Sequence, residues 1–120
     1  MNPVIRVIKT RALEGMQGYI DTCRAAGREA GYTEDDVRQL ARILDDYLAA
    51  IDAAEENNEA EVMGIVKDTV LALNALYAAC KGHLIEADQR EDLATVINLA
   101  AAARGVGDGT SDITEQWRDW

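Results

Sequence analysis

Apolar side chains recur at steps of three and four residues in four successive segments of this chain. This spacing places them on one face of an α-helix. One strictly alternating segment runs Val37, Leu40, Leu44, Tyr47, Ile51 and Ala54. Composition supports the same secondary structure, since the chain holds 20 Ala and a single Pro, and Ala loses no side-chain entropy in a helix. The pattern predicts an all-α protein.

Residues that cap helices bound each segment. We predict helices over residues 3–27, 34–56, 59–81 and 88–104, followed by a short helical tail over 110–120. The predicted helix starts are Asn2 before Pro3, Thr33 with Asp36, Asn58 with Glu61, and Asp88 with Glu91. Amphipathic helices joined by short connections predict one domain over residues 1–120, an antiparallel four-helix bundle.

The other three helices also have apolar faces. We predict them as Ile5, Ile8, Ala12, Met16, Tyr19, Cys23 and Ala26 in the first helix, Val62, Val66, Thr69, Leu73, Leu76 and Cys80 in the third, and Leu93, Val96, Ile97 and Ala100 in the fourth. Gly15 and Gly18 lie inside the first helix, which indicates either a close approach of another helix or a kink. The second and third helices could also pair between two copies, which leaves a homodimer open.

Charge is unevenly distributed along the chain. It has 12 basic and 22 acidic residues, a net charge of −10; residues 1–31 carry +2 and residues 32–120 carry −12. A protein that binds a phosphate backbone needs Lys and Arg to displace counterions, so we expect no nucleic-acid partner. The excess acid is either a solvated surface or a negative field that steers a basic protein partner.

The residues that usually carry chemistry are sparse. His83 is the only histidine, Cys23 and Cys80 lie far apart, and no zinc, nucleophile-elbow or phosphate-loop motif occurs. Neighbouring carboxylates such as Asp45 and Asp46 point about 100° apart on a helix, which disfavours an acid–base pair. We therefore expect no enzymatic activity, no metal and no cofactor. The glycines between residues 105 and 109 follow a helix, which favours a flexible hinge.

Both cysteines fall on predicted core faces, where thiols behave as small apolar side chains. A disulfide between the two helices is the alternative, but nothing in the sequence indicates an oxidising compartment. Neither a secretory signal nor a long uninterrupted apolar run occurs. We expect a reduced, cytoplasmic protein without a membrane partner.

The segment Leu84–Leu93, with the preceding Leu73-Asn-Ala-Leu76, resembles small helical bacterial immunity proteins of contact-delivered toxins of the polymorphic or type VI kind. The acidic four-helix plan is also similar to that of the nuclease-colicin immunity proteins. Their adjacent tyrosine pair has no counterpart here, since Tyr47 stands alone. The resemblance implies a non-enzymatic immunity or antitoxin protein that occludes the active site of a cognate toxin.

An acidic helical surface would fill the basic cleft of a toxin that acts on nucleic acid or nucleotides. The candidate partner-binding residues are Asp45, Asp46, Asp52, Glu55, Glu56, Glu59, Trp117 and Trp120. Two other functions fit this sequence, the first through the same acidic surface and the second through the apolar helix faces. One is a nucleic-acid mimic or phage-type inhibitor, and the other is a dimeric helical adaptor or secretion chaperone.

The tail allows two interpretations. Ile113, Trp117 and Trp120 share one face, and both tryptophans of the chain lie there. Large aromatic side chains could cap the Ala-rich bundle from within the chain. Alternatively, they could anchor a partner, because Trp is enriched at binding hot spots.

Overall fold

The computed structural model describes residues 2–120 and contains four helices: α1 (Pro3–Ala25), α2 (Glu34–Ala53), α3 (Glu59–Ala79) and α4 (Ala87–Ala103). The described residues form no strand. The main packing partners are α1 with α4 and α2 with α3. A bidentate ion pair between Arg11 and Asp92, with Nη2–Oδ1 at 2.6 Å and Nε–Oδ2 at 3.1 Å, joins α1 to α4. The predicted all-α four-helix bundle is confirmed.

Three of the four predicted caps are present. The side chains of Asn2, Thr33 and Asn58 accept hydrogen bonds from the first-turn N–H groups of α1, α2 and α3. The prediction of Asp88 as the fourth cap was wrong. The N-cap of α4 is Glu86, whose N–H donates to Oε1 of Gln89 at 3.3 Å. Burial of the two apolar residues just before Glu86 fixes the approach of the chain, so α4 begins earlier than predicted.

Every helix ends one to three residues before its predicted end. The reason is the left-handed backbone that follows each helix, with φ of 70° at Gly27, 64° at Asn57, 55° at Lys81, 77° at Gly82 and 83° at Gly105. A residue in this region satisfies the last carbonyl groups of a helix and turns the chain away from its axis.

The predicted core faces of α2 and α3 are buried at every position, as are the four positions predicted for α4. The face of α1 is partly wrong. Tyr19 is 44% exposed and Ala26 is exposed, whereas Ile20 is buried. Tyr19 instead stacks on Tyr32, with ring centroids 6.2 Å apart. A step of three or of four from Met16 fits a helix equally well, so the spacing alone could not choose between Tyr19 and Ile20.

The two glycines inside α1 have different surroundings. A Cβ at Gly15 would lie 3.0 Å from Nε2 of Gln89 on α4, whereas a Cβ at Gly18 would meet nothing within 4 Å. The close approach that the sequence offered as one explanation therefore applies to Gly15 alone.

The tail folds back across α3 and α4 and does not form an α-helix. It contains one turn, in which the N–H of Arg118 donates to the carbonyl of Thr114 at 3.1 Å. Two asparagines hold its backbone. The side chain of Asn74 donates to the carbonyl of Trp117 at 2.7 Å and accepts from the N–H of Asp119 at 2.9 Å. The side chain of Asn98 accepts from the N–H of Ile113 at 3.1 Å. This arrangement matches the interpretation of the tail as an intramolecular cap.

Candidate functional site

The six acidic residues that the sequence selects are all exposed. Four of them gather where α2 turns into α3, and we call this group the acidic end: Asp52, Glu55, Glu56 and Glu59. Asp52 is in the last turn of α2, Glu59 begins α3, and the other two lie in the turn between the helices. The structure therefore brings these four carboxylates together over eight residues of chain.

Contacts from the end of α4 fix the backbone of the acidic end. Nε of Arg104 donates to the carbonyl of Ile51 at 3.0 Å, and its Nη2 donates to the carbonyl of Asp52. The carbonyl of Arg104 accepts from the N–H of Asn57 at 2.8 Å. Gly105 permits this approach, because a Cβ there would overlap Oδ1 of Asn57. Gly105 is thus tightly packed in this fold, which differs from the free hinge expected from the sequence.

Sequence reasoning did not identify Arg104 as part of this site. The last turn of α2 contains no basic residue, so its carbonyl groups have no cation from their own helix. Arg104 supplies one from α4 and acts as a cap for α2. The signal available in the sequence was a basic side chain at the end of an Ala-rich helix, but its target lies 52 residues away.

Ion pairs neutralise only part of the predicted acidic set. Asp45 pairs with Lys9 of α1, and the Asp52 carboxylate lies 3.5 Å from Nη2 of Arg104. Among the described residues, Glu55, Glu56 and Glu59 form no ion pair within 4 Å. Their unneutralised charge gives this end of the bundle a negative field.

Glu55 and Glu56 lie in the turn between two helix termini. The C-terminus of α2 on one side has a negative dipole end, and the N-terminus of α3 on the other side has a positive one. Glu59 differs, because the first turn of α3 favours an acidic residue. Glu55 accepts a hydrogen bond from Nδ2 of Asn58, the N-cap of α3, at 3.3 Å, whereas Glu56 makes no side-chain hydrogen bond or ion pair with another described residue.

Asp45 and Asp46 point away from each other. Asp45 faces Lys9 on α1, whereas Asp46 lines a groove that α2 forms with α3. The predicted acidic face of the second helix is therefore divided between its two sides, as expected for neighbouring helical residues.

Trp117 and Trp120 lie across α3 and α4, away from the acidic end. Trp120 is only 4% exposed and Trp117 is half-buried. Arg118 covers the indole of Trp120, with its guanidinium carbon 5.2 Å from the ring centroid. As folded, the protein does not present Trp120 to a partner. Its selection as a partner contact stays a prediction.

The two cysteines and the possible metal ligands are the remaining residues that could carry chemistry. Cys23 and Cys80 are free and buried, and burial raises the pKa of Cys80 to about 11, so this thiol is poorly nucleophilic at neutral pH. Residues 2–120 contain no group of three or more His, Cys, Asp or Glu side chains that could hold a metal ion.

By length and composition, α3 is apolar enough to cross a membrane, which the sequence reading did not anticipate. A core helix of a soluble bundle meets the same criterion. One face of α3 is buried in this bundle, so its apolar composition is weak evidence for a membrane segment.

Comparison of the chain with protein-family models, curated proteins and solved structures gives no match.

Proposed function

We propose that this protein is a non-enzymatic binding protein of the immunity or antitoxin type, which covers the basic cleft of a cognate toxin with its acidic end. The observation that carries the proposal is the placement of Glu55 and Glu56. Both are exposed and make no ion pair among the described residues, although Glu55 accepts a hydrogen bond from Nδ2 of Asn58 at 3.3 Å. Exposed carboxylates without an ion pair can pair with the cations of a basic partner.

The surroundings of these two residues suit recognition of a basic surface. Arg104 and Asn57 fix the turn that carries them, so little ordering entropy is lost when a partner binds. Unneutralised carboxylates on a rigid turn raise the rate of encounter with a cationic partner. A toxin that acts on nucleic acid or nucleotides has such a cationic cleft, because it must bind phosphate.

The first experiment identifies the partner and tests its chemistry. The tagged protein is used to capture proteins from a lysate of the source cells, and mass spectrometry identifies what co-purifies. We expect a basic protein whose enzymatic activity falls when this protein is added. A captured partner that is acidic, or one whose activity is unchanged by binding, would contradict the proposal.

The second experiment assigns the surface with the purified partner. The triple variant Glu55→Gln, Glu56→Gln, Glu59→Gln should lower the association rate about tenfold and weaken its dependence on salt. A matched control removes three exposed carboxylates from the α1 side of the chain: Glu14→Gln, Asp21→Asn and Glu29→Gln. Equal effects of the two triple variants would mean that net charge, and not the acidic end, governs binding.

Thermal unfolding separates a binding role from a folding role. Because Glu55 and Glu56 repel the neighbouring carboxylates, and Gln keeps an oxygen that can accept from Asn58, the double variant Glu55→Gln, Glu56→Gln should melt at a slightly higher temperature than the wild type. Higher stability with weaker binding is the expected combination. A lower melting temperature would show that these carboxylates support the fold.

A further inference from the structure

A groove runs along the outer face of the bundle between α2 and α3. Its volume is about 270 Å³, and all of its lining residues belong to these two helices: Ile43, Asp46, Tyr47, Ala50, Ile65, Asp68, Thr69 and Ala72. Ile43 and Ile65 are half-buried and form apolar walls, while Ala50 and Ala72 leave space because their side chains are small. Leu71, next to Ala72, is 45% exposed.

One carboxylate from each helix lines this apolar groove. Asp46 belongs to α2 and Asp68 to α3, and both residues are exposed. Neither makes an ion pair within 4 Å with another described residue, although Arg42 lies four residues before Asp46 on the same helix. The groove therefore combines apolar walls with two negative charges that pair with no other residue in the described part of the chain.

We propose that the α2–α3 groove binds a basic amphipathic helix of a partner protein. Apolar side chains of that helix would pack over Ala50 and Ala72, and its Lys or Arg side chains would pair with Asp46 and Asp68. This inference rests on the proposed function, to which it adds the secondary structure and the residue pattern of the partner's contact segment.

The shape and charge of the groove select this occupant. Its α2 side extends from Ile43 to Ala50, which is about 10 Å or two turns of helix. An apolar floor with charged residues beside it complements a helix whose apolar side chains recur every three or four residues and are flanked by cations. The carboxylates disfavour nucleic acid and anionic lipid, because both carry the same charge sign.

Two synthetic peptides test the groove directly. The first is a fluorescein-labelled 18-residue helix with Leu along one face and Lys beside it, and the second has the same composition in scrambled order. Fluorescence anisotropy should show the amphipathic peptide binding at least tenfold more tightly than the scrambled one. Amide chemical-shift changes should concentrate in residues 43–50 and 65–72. Equal affinities, or no binding of either peptide, would overturn the proposal.

Matched variants locate the binding. Ala72→Arg places bulk and positive charge in the groove and should weaken the amphipathic peptide at least tenfold. Ala49→Arg is the control, because Ala49 is also exposed and lines a cavity on another side of α2. The double variant Asp46→Asn, Asp68→Asn keeps side-chain size and should weaken binding at least fivefold. Circular dichroism verifies that each variant is folded. Equal weakening by the two arginine variants would exclude the groove as the site.

The captured partner distinguishes this inference from the proposed function. If binding of the partner depends on Glu55, Glu56 and Glu59 but is unchanged by Ala72→Arg, the groove proposal fails and the acidic end stands. If Ala72→Arg weakens the partner while the acidic-end triple variant binds normally, the role proposed for the acidic end fails.

Discussion

The docked tail makes the clearest quantitative prediction for stability. Trp120 is 4% exposed and packs in the core, so Trp120→Ala removes a large buried aromatic side chain. Asn74 of α3 makes two hydrogen bonds to the tail backbone, which give the tail one fixed position. We expect the variant to remain helical and to lose stability.

The expected loss of unfolding free energy follows from the buried area of the Trp120 side chain and from its N–H group, which has no acceptor among the described residues. A buried aromatic side chain removes about 150–250 Å² from water. At ~25 cal/mol per Å², this area contributes roughly 4–6 kcal/mol, an upper value because the unfolded chain already buries some of it. The indole Nε1 of Trp120 is buried without an acceptor among the described residues, which costs about 1–3 kcal/mol. The expected net loss is therefore about 3 kcal/mol.

Urea unfolding followed by circular dichroism at 222 nm measures this loss. With a slope of about 2 kcal/mol per M, the midpoint should fall by about 1.5 M. Trp120→Phe is the matched variant. It keeps an aromatic ring, removes the buried N–H without an acceptor, and should lose less than about 1 kcal/mol. Trp117 remains as a fluorescent reporter in both variants, and its emission should shift to longer wavelength only in Trp120→Ala.

An unchanged midpoint and slope in Trp120→Ala would refute the reasoning. That result would mean that the tail does not dock in solution, and the interpretation of the tail as a partner anchor would regain support. A loss of about 3 kcal/mol in Trp120→Phe as well would show that the indole N–H has an acceptor that the area argument omits.

Three further predictions concern the core, the tail and acid stability. Leu73→Ala, at a fully buried position of α3, should lower the free energy of unfolding by ~2–5 kcal/mol. Leu71→Ala, on the exposed side of the same helix, should change it by less than ~1 kcal/mol. Similar urea midpoints of the two variants would mean that the core face is misassigned. Asn74→Ala leaves two backbone groups of the tail without their partner and should cost about 1–2 kcal/mol, with a red shift of Trp emission; unchanged emission would contradict this role. Backbone N–H groups of Ser111 and Thr110 lower the pKa of Asp108 from 3.8 to about 2, so the stability this carboxylate adds is present above pH 4 and is lost as pH falls through about 2. Asp108→Asn should therefore show a smaller fall in melting temperature between pH 4 and pH 2 than the wild type, and an equal fall would contradict the assignment.

Much of the candidate site could be selected from the sequence, but its arrangement could not. Exposure of the six acidic residues follows from their positions between the apolar residues of α2 and in the turn after it. Their division into the acidic end and the two sides of α2 depends on which helices pack beside α2. The groove beside Asp46 needs a second wall from α3, and no local pattern in α2 predicts that wall.

The sequence by itself determined the helices, three of their caps and the core faces of α2 and α3, because these features depend on residues three or four positions apart. The tertiary structure decided that Ile20 is buried and Tyr19 is exposed, although both positions fit the helical spacing. It also decided that Arg104 caps α2 and that Asn74 holds the tail. The last two contacts join residues 53 and 43 positions apart. Such residues are brought together by the packing of whole helices. Local preferences of the chain do not determine these contacts.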